Sequence, residues 1–226
     1  MGTLAASEAP LTRTTLAEGA YSRILESILS GALPAGSEVR DVSLAADLRV
    51  SRTPVREALA RLLKDGLLEQ DPQRRLRVVR FSREDVVELY DMRELLESAC
   101  AERAATRMSD EDLADLRRRA MDLRKAPRTA AWKARALDFD VFFHDRIARA
   151  SGNRRLHEDV SRYRLLVRAF CRITGNVDNL EQALIEHVEL LRTLEARDGR
   201  AAGKSMAAHI RARVDAVLRE LYPEAV

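Results

Sequence analysis

Two groups of residues in this 226-residue chain have types and spacings that could do chemistry. The first is a carboxylate with three histidines. Asp140 and His144 stand four residues apart and so share one face of a helix, and His187 and His209 each lie in a later apolar pattern. Such a ligand set suits a divalent ion, with Zn, Ni, Mn and Fe not distinguished. An isolated histidine in an amphipathic helix is more often a hydrogen-bonded core residue, so spacing alone leaves both interpretations open.

The second group is a pair of arginines on a predicted helix that begins near Ser51 and ends at Gly66. Arg52 and Arg56 stand four residues apart and share one face. The opposite face is apolar, with Val55, Ala58, Leu59 and Leu62. Ser51 or Thr53 can cap the helix. Two guanidinium groups near a helix N-terminus suit guanine edges in a DNA major groove, so the segment predicts DNA binding.

The charge distribution supports this prediction. The whole chain carries a formal charge of +3, whereas residues 49–80 hold nine basic residues against four acidic ones, a local +5. A concentrated basic segment in a nearly neutral protein is typical of a surface that faces phosphates. The alternative is a solvated face on which Arg52 and Arg56 are balanced by Glu57 and Asp65.

The composition favours helices and argues against other classes of protein. Aromatic residues make up 4% of the chain and charged residues 33%, which is typical of helices with leucine and alanine seams. Cys100 and Cys171 lie in apolar helical patterns, so free buried thiols are expected rather than a disulfide framework. We find neither a secretory signal nor a run of about 20 apolar residues, so a soluble, cytoplasmic protein is predicted.

The elements that must position the arginines form a predicted winged helix domain over residues 15–81. Residues 1–14 are small, polar and aperiodic, and a flexible tail is expected there. An amphipathic helix over 16–30 precedes a turn, a short helix over 43–48 and the arginine-bearing helix. Two short strands, around Leu68 and Val78, are joined by the basic turn Asp71-Pro72-Gln73-Arg74-Arg75 and form the wing.

The elements that must position the histidines are about six helices over residues 82–226. They are expected over 82–108, 109–125, 129–150, 154–173, 178–197 and 200–221. Ser82-Arg83-Glu84-Asp85 has the pattern of a capping box at the start of the first. Short connections imply an antiparallel all-α bundle. The predicted fold class is therefore mainly α, a winged helix–turn–helix domain with a small β-wing followed by a helical bundle.

These residues resemble a known family. The segment 51–59, followed by Leu62 and by Asp65-Gly66-Leu67-Leu68, resembles the DNA-binding domain of GntR-family bacterial transcription regulators. The C-terminal half resembles the FadR-type effector domain of that family, called FCD. Its motifs here are Arg93-Glu94-Leu95-Leu96-Glu97, Asp140-Val141-Phe142-Phe143-His144, Ser151-Gly152-Asn153, Glu186-His187 and Ala208-His209-Ile210. The resemblance covers about residues 16–221 and implies a homodimeric regulator, most often a repressor of a catabolic or transport operon.

The resemblance also implies roles for individual residues. The DNA-binding residues would be Ser51, Arg52, Thr53, Arg56, Arg74 and Arg75. The two helix arginines would contact bases, the two hydroxyls would contact phosphates, and the wing would approach the minor groove. The metal ligands would be Asp140, His144, His187 and His209, with positions left open for water or an effector carboxylate. The wing turn lacks the glycine that many members carry, and Val42 stands where some carry an arginine.

Arg93 is a basic residue among apolar neighbours on the first bundle helix, and two roles are open for it. It could hold an effector carboxylate by a charge-assisted hydrogen bond. It could equally form an ordinary interhelical ion pair, with Asp91, Glu94 or Glu97 as partner. Residues with weaker support as part of the same cavity are Tyr163, Arg164 and Arg168.

Three functions are consistent with these features. The first, which we predict, is a ligand-responsive repressor that is not an enzyme. It would leave a palindromic operator when a small carboxylate binds a divalent metal in the helical domain. Its partners would be double-stranded DNA, that metabolite and a second copy of the chain, with no membrane. The alternatives are a metal-dependent hydrolase or oxygenase with an appended DNA-binding domain, and a purely architectural DNA-binding dimer.

Overall fold

The computed structural model describes residues 13–174 and 176–223, without the side chains of residues 13–15 and 169–174. The chain divides into two compact units, of which the first ends at Phe81 and the second begins at Ser82. The predicted flexible tail over 1–14 lies outside the described residues, except for Arg13 and Thr14, which begin the first helix. Cys171 also belongs to the part whose side chains are not described, whereas Cys100 is a free, buried thiol.

The first unit contains three helices and a small sheet. Its elements are α1 (Arg13–Leu29), β1 (Glu38–Val39), α2 (Asp41–Leu48), α3 (Arg52–Lys64), β2 (Leu68–Gln70) and β3 (Leu76–Val78). The strands are antiparallel in the order β1-β3-β2. The predicted wing is the β2–β3 pair. Strand β1 was not predicted, because two residues are too short to show an alternating pattern; its pairing with β3 makes it a strand.

Helix α3 is held by the apolar face that its sequence predicts. Val55 and Leu62 are fully buried, and Ala58 and Leu59 nearly so. They pack against α1, where Ile24 is also fully buried. Gly66 follows the helix with a φ of 82°, a backbone conformation that favours glycine, and so turns the chain into β2. Burial of one face leaves the opposite, arginine-bearing face of α3 in solvent.

The second unit is a bundle of six described helices, as predicted. They are α4 (Arg83–Arg107), α5 (Asp110–Lys125), α6 (Ala130–Ala150), α7 (Arg154–Thr174), α8 (Val177–Glu195) and α9 (Gly199–Leu221). The Ser82 hydroxyl accepts a hydrogen bond from the Asp85 amide and the Asp85 carboxylate accepts one from the Ser82 amide, which is the predicted capping box. None of the described helices is long and apolar enough to cross a membrane.

Helix α4 positions the rest of the bundle. It packs along α9 and also contacts α6, α7 and α8. Large apolar side chains such as Trp132 and Phe143 on α6 and Met206 on α9 are almost completely buried between these helices. On the inner face of α4, the Glu97 carboxylate bonds to the imidazole of His144 on α6. The site described below forms at that meeting point.

Candidate DNA surface and metal centre

The four DNA-binding candidates on α3 lie at its exposed N-terminal end. Ser51 is the N-cap residue with an extended backbone, but its side chain makes no capping hydrogen bond. Thr53 is exposed, and the side chains of Arg52 and Arg56 are 60% and 73% exposed. Their hydroxyl and guanidinium groups therefore face solvent, where a DNA duplex can reach them.

The acid nearest to these arginines is Asp41, which the sequence analysis did not identify. Arg52 donates from Nε and Nη2 to Asp41 Oδ2, at 3.2 and 2.9 Å. The Nε atom of Arg56 lies 3.9 Å from the same oxygen. The hydrogen bond from Arg52 lowers the pKa of Asp41 below its ordinary value. Asp41 is the first residue of α2, where acids are common for capping reasons, so nothing in the sequence marked it as a partner of Arg52.

The wing turn closes without a glycine because another residue takes the left-handed conformation. Arg74 has a φ of 61°. The Asp71 carboxylate accepts hydrogen bonds from the amides of Gln73 and Arg75, both at 2.9 Å, and from the guanidinium groups of Arg75 and Arg77. Partial burial would raise the pKa of Asp71, but these donors lower it to about 2. The turn is therefore braced by one aspartate, and it carries Arg74 and Arg75 at its exposed tip.

The four predicted metal ligands converge in the second unit. Asp140, His144, His187 and His209 each offer one ligand atom, and these atoms lie within 4.8 Å of one another. His187 Nε2 lies 3.3 Å from His144 Nε2 and 3.5 Å from Asp140 Oδ1. The three imidazoles are at most 2% exposed. His209 Nε2 is buried without a hydrogen-bond partner, and a buried unpaired nitrogen beside three other ligand atoms is what a metal ion would satisfy.

In two of the three histidines, the ring nitrogen that faces away from this centre, Nδ1, meets a carboxylate. Glu97 on α4 bonds to His144 Nδ1, and Glu186 on α8 lies 2.7 Å from His209 Nδ1. A carboxylate on the far nitrogen fixes the tautomer, so that Nε2 carries the free electron pair. The sequence marks Glu97 only as a candidate partner for Arg93, and nothing in it marks a role for Glu186.

Three arginines neutralise the carboxylates of the site. Arg93 pairs with Glu97 at 2.7 Å, and both side chains are only 2% exposed. The other two pairs are Arg164 with Asp140, and Arg213 with Glu186. Glu97 is one of the three partners considered for Arg93, so the ion pair itself is confirmed. Only its description as interhelical was wrong, because all three candidate partners belong to the same long helix.

The pKa values keep the site in the form that binds a metal. Burial lowers the pKa of His144 to about 4, and the Arg164 guanidinium adds to this effect. Burial likewise holds the pKa of His187 well below its ordinary value. Burial would raise the pKa values of Asp140 and Glu97, but their arginine and histidine neighbours hold both below the usual range. Neutral imidazoles beside an ionised carboxylate are the protonation states that metal ligands require.

A cavity of about 50 Å³, partly open to solvent, adjoins the cluster. Its polar lining includes Tyr90, Arg93, Asp140, Arg164, His209 and Arg213, and its apolar lining includes Leu137, Val167, Leu180 and Val217. Arg164 thus lies where the sequence analysis placed it, whereas Tyr163 does not line the cavity and Arg168 is exposed. Arg93 faces the cavity and the ion pair at once, so its two proposed roles are not exclusive.

Both units match known protein families. Residues 16–78 match the family model "Bacterial regulatory proteins, gntR family", and residues 88–212 match the FCD domain. A probable D-xylose utilization operon transcriptional repressor from Paenarthrobacter nicotinovorans is 30% identical over 91% of this chain and 90% of its own. The Nta operon transcriptional regulator of Aminobacter aminovorans is 28% identical over 81% of this chain and 85% of its own.

A solved structure has the same fold. E. coli McbR/YncC superposes with a TM-score of 0.76 at 22% identity, over 90% of this chain and 97% of its own. The winged helix, the helical bundle and these matches agree on one interpretation, a ligand-responsive DNA-binding regulator. This chain belongs to the GntR family of bacterial transcription regulators and carries an FCD domain.

Proposed function

We propose that this regulator is a homodimeric repressor of a metabolic operon, released from a palindromic operator by a small carboxylate that binds a divalent metal in the helical unit. The observation that carries the proposal is the convergence of one carboxylate and three imidazoles beside a cavity, with His209 Nε2 buried and unpaired. Relatives named as repressors of sugar operons, such as those for D-xylose and gluconate, support the sign of regulation.

The DNA contacts follow from the exposure of α3 and the wing. Arg52 and Arg56 would read guanine edges in the major groove, since forked guanidinium groups can donate to both guanine acceptors. Ser51 and Thr53 would donate to phosphates from the helix N-terminus. The wing residues Arg74 and Arg75 would add sequence-independent attraction to the backbone.

Metal binding would use Asp140, His144, His187 and His209. Asp140 can serve through Oδ1, which faces His144 and His187, while Oδ2 stays bonded to Arg164. A bound divalent ion would supply a Lewis acid to which a carboxylate oxygen can attach. Glu97 and Glu186 would hold the two imidazoles in orientation, and Arg164 would hold Asp140. Every carboxylate in this described cluster is paired with an arginine, so none is placed as a free general base for a metalloenzyme.

A dimer is proposed because the operator is expected to be palindromic. Helix α4 offers an apolar surface for it, with Leu95 69% exposed and Met92 39% exposed. Effector and operator binding would be coupled. Each ligand would lower the protein's affinity for the other by the same factor, about 5- to 150-fold. Such a regulator would act in the cytoplasm, where its operator is.

The test begins with elemental analysis of the protein after reconstitution with divalent metals and dialysis. We expect about one metal per chain, and none in the His187→Ala/His209→Ala double variant. Acetate, lactate, malonate and citrate are then titrated into complexes of each protein with an operator selected from random DNA. At least one acid should weaken the operator complex of the loaded wild type and leave that of the double variant unchanged. A wild type that retains no metal would contradict the metal anchor.

A further inference from the structure

Two arginines beside the cluster each have an N–H group that no protein acceptor takes. Arg164 and Arg213 both line the cavity, and the Nε atom of each is buried without a hydrogen-bond partner. Other N–H groups of the same arginines are used within the site: Arg164 binds Asp140, and Arg213 binds Glu186 and the carbonyl of Asn179. Buried guanidinium N–H groups are rarely left unpaired in native proteins, so a further acceptor is expected beside these two arginines.

The charges around the cavity cancel within the protein. Among the described residues that line it or bond to an imidazole of the cluster, three arginines face three carboxylates. The pairs are Arg93 with Glu97, Arg164 with Asp140, and Arg213 with Glu186. Imidazoles that ligate a metal are neutral. A divalent ion at the cluster therefore adds two positive charges that no protein carboxylate offsets, in a site where uncompensated charge is costly.

The bound effector must therefore supply two negative charges, and the lining of the cavity indicates that these charges are attached to a carbon chain. Leu137, Val167 and Val217 form an apolar part of the wall, which favours methylene groups over a compact, fully hydrated anion. Resting on the metal anchor of the proposed function, we propose that the effector is a small dicarboxylate. One carboxylate binds at the metal, and the second pairs with the guanidinium groups of Arg164 and Arg213, which line the cavity.

The experiment compares each dicarboxylate with its monoamide, which has nearly the same size but one negative charge fewer. The metal-loaded full chain is titrated in a calorimeter with dicarboxylates from oxalate to adipate and with the monoamide of each, for example succinate against succinamate. Inorganic phosphate is a separate arm. We expect the best dicarboxylate to bind at least about tenfold more tightly than its monoamide, because a charge-assisted contact is lost in the amide.

A variant tests whether the arginines of the site cause this preference. Arg213→Met removes one positive charge from the cavity, so the ratio between dicarboxylate and monoamide should fall severalfold. The matched control is Arg211→Met, two residues earlier on α9, which removes an exposed arginine paired with Glu94 outside the cavity. The control should keep the wild-type ratio. Metal content is measured in each protein, and the wild-type comparison decides the proposal by itself if Arg213→Met loses its metal.

The outcomes separate this inference from the proposed function. Equal affinity for dicarboxylates and monoamides, or no dicarboxylate binding to the loaded protein, overturns the dicarboxylate assignment and leaves the metal site in place. Phosphate binding more tightly than every dicarboxylate also overturns it, in favour of a phosphate-bearing effector. A preference for dicarboxylates without any weakening of the operator complex supports the assignment and contradicts release by this effector. Absence of metal overturns both.

Discussion

The two units of this protein use the same kind of ion pair, a guanidinium with a carboxylate, in opposite surroundings. In the winged helix unit, Arg52 pairs with Asp41 on the surface, and the arginine is 60% exposed. In the helical unit, Arg93 pairs with Glu97 in the interior, and both groups are 2% exposed. The chemistry of the contact is identical, so the difference in behaviour comes from the solvent.

That difference matches the two tasks. An exposed ion pair contributes little free energy, so Arg52 can leave Asp41 for a guanine at small cost. A buried pair is held because either partner alone would be an unpaired charge away from water. Surface pairing therefore suits an arginine that must exchange partners, and buried pairing suits a carboxylate such as Glu97 that holds the imidazole of His144 in one orientation.

The largest expected effect comes from removing one half of the buried pair. Arg93→Met leaves the buried charge of Glu97 without its arginine partner, and we expect the helical unit to lose about 3–5 kcal/mol of unfolding free energy. Urea denaturation followed by fluorescence is suitable, since Trp132 is the only tryptophan and lies buried in α6. As a control, Glu94→Gln breaks the exposed pair with Arg211 and should cost less than about 1 kcal/mol. Similar losses in the two variants would refute the comparison.

The second effect is a pH dependence that belongs to the helical unit. His144 has a folded pKa of about 4, below the ordinary 6.5, because burial disfavours its charged form. The unfolded chain therefore takes up a proton first as the pH falls, and metal-free protein should lose stability below about pH 6.5. We expect His144 to contribute a loss of about 2 kcal/mol between pH 7 and pH 5, and His187, whose pKa burial also lowers, to add to that loss, before the carboxylates begin to titrate. It is measured by urea titrations at each pH on Trp132 fluorescence. A His144→Gln variant should show a shallower loss, and a flat wild-type profile would contradict the assignment.

The third effect concerns the exposed arginines and DNA. Arg52→Ala should weaken binding to a selected operator by about 5- to 150-fold and change binding to random DNA little, because it removes a base contact. Arg75→Ala in the wing should weaken both DNAs alike and reduce the salt dependence. Fluorescence anisotropy over a range of salt concentrations measures both. Equal losses on operator and random DNA for Arg52→Ala would rule out base reading by this residue.

The smallest effect tests the surface pair itself. Asp41→Asn removes a negative charge beside Arg52 and Arg56. It also weakens the hydrogen bonds that orient the Arg52 side chain. We expect binding to random DNA to strengthen and the preference for operator to fall, each by a few-fold. Asp47→Asn, at the other end of α2, removes the same charge away from that contact and should leave the preference unchanged. An unchanged preference in Asp41→Asn would mean that the carboxylate does not orient Arg52.

Much of this fold could be predicted from short-range patterns. The apolar spacing of Val55, Ala58, Leu59 and Leu62 predicted the buried face of α3, and it is buried. The Ser82–Asp85 capping box began α4 as expected. These features depend on residues within about four positions of each other, where helix geometry alone relates sequence to space. Strand β1 escaped prediction because its partner β3 lies almost 40 residues away.

The candidate site divides in the same way. The sequence by itself determined the candidate ligands, Asp140, His144, His187 and His209, and the exposed arginines of α3. Only the tertiary structure decided that Glu97 reaches His144, 47 residues away, that Glu186 reaches His209, and that Asp41 meets Arg52. A residue's type and helical face follow from its neighbours in the chain. Its partner across the bundle depends on how separate helices pack, and no local pattern encodes that packing.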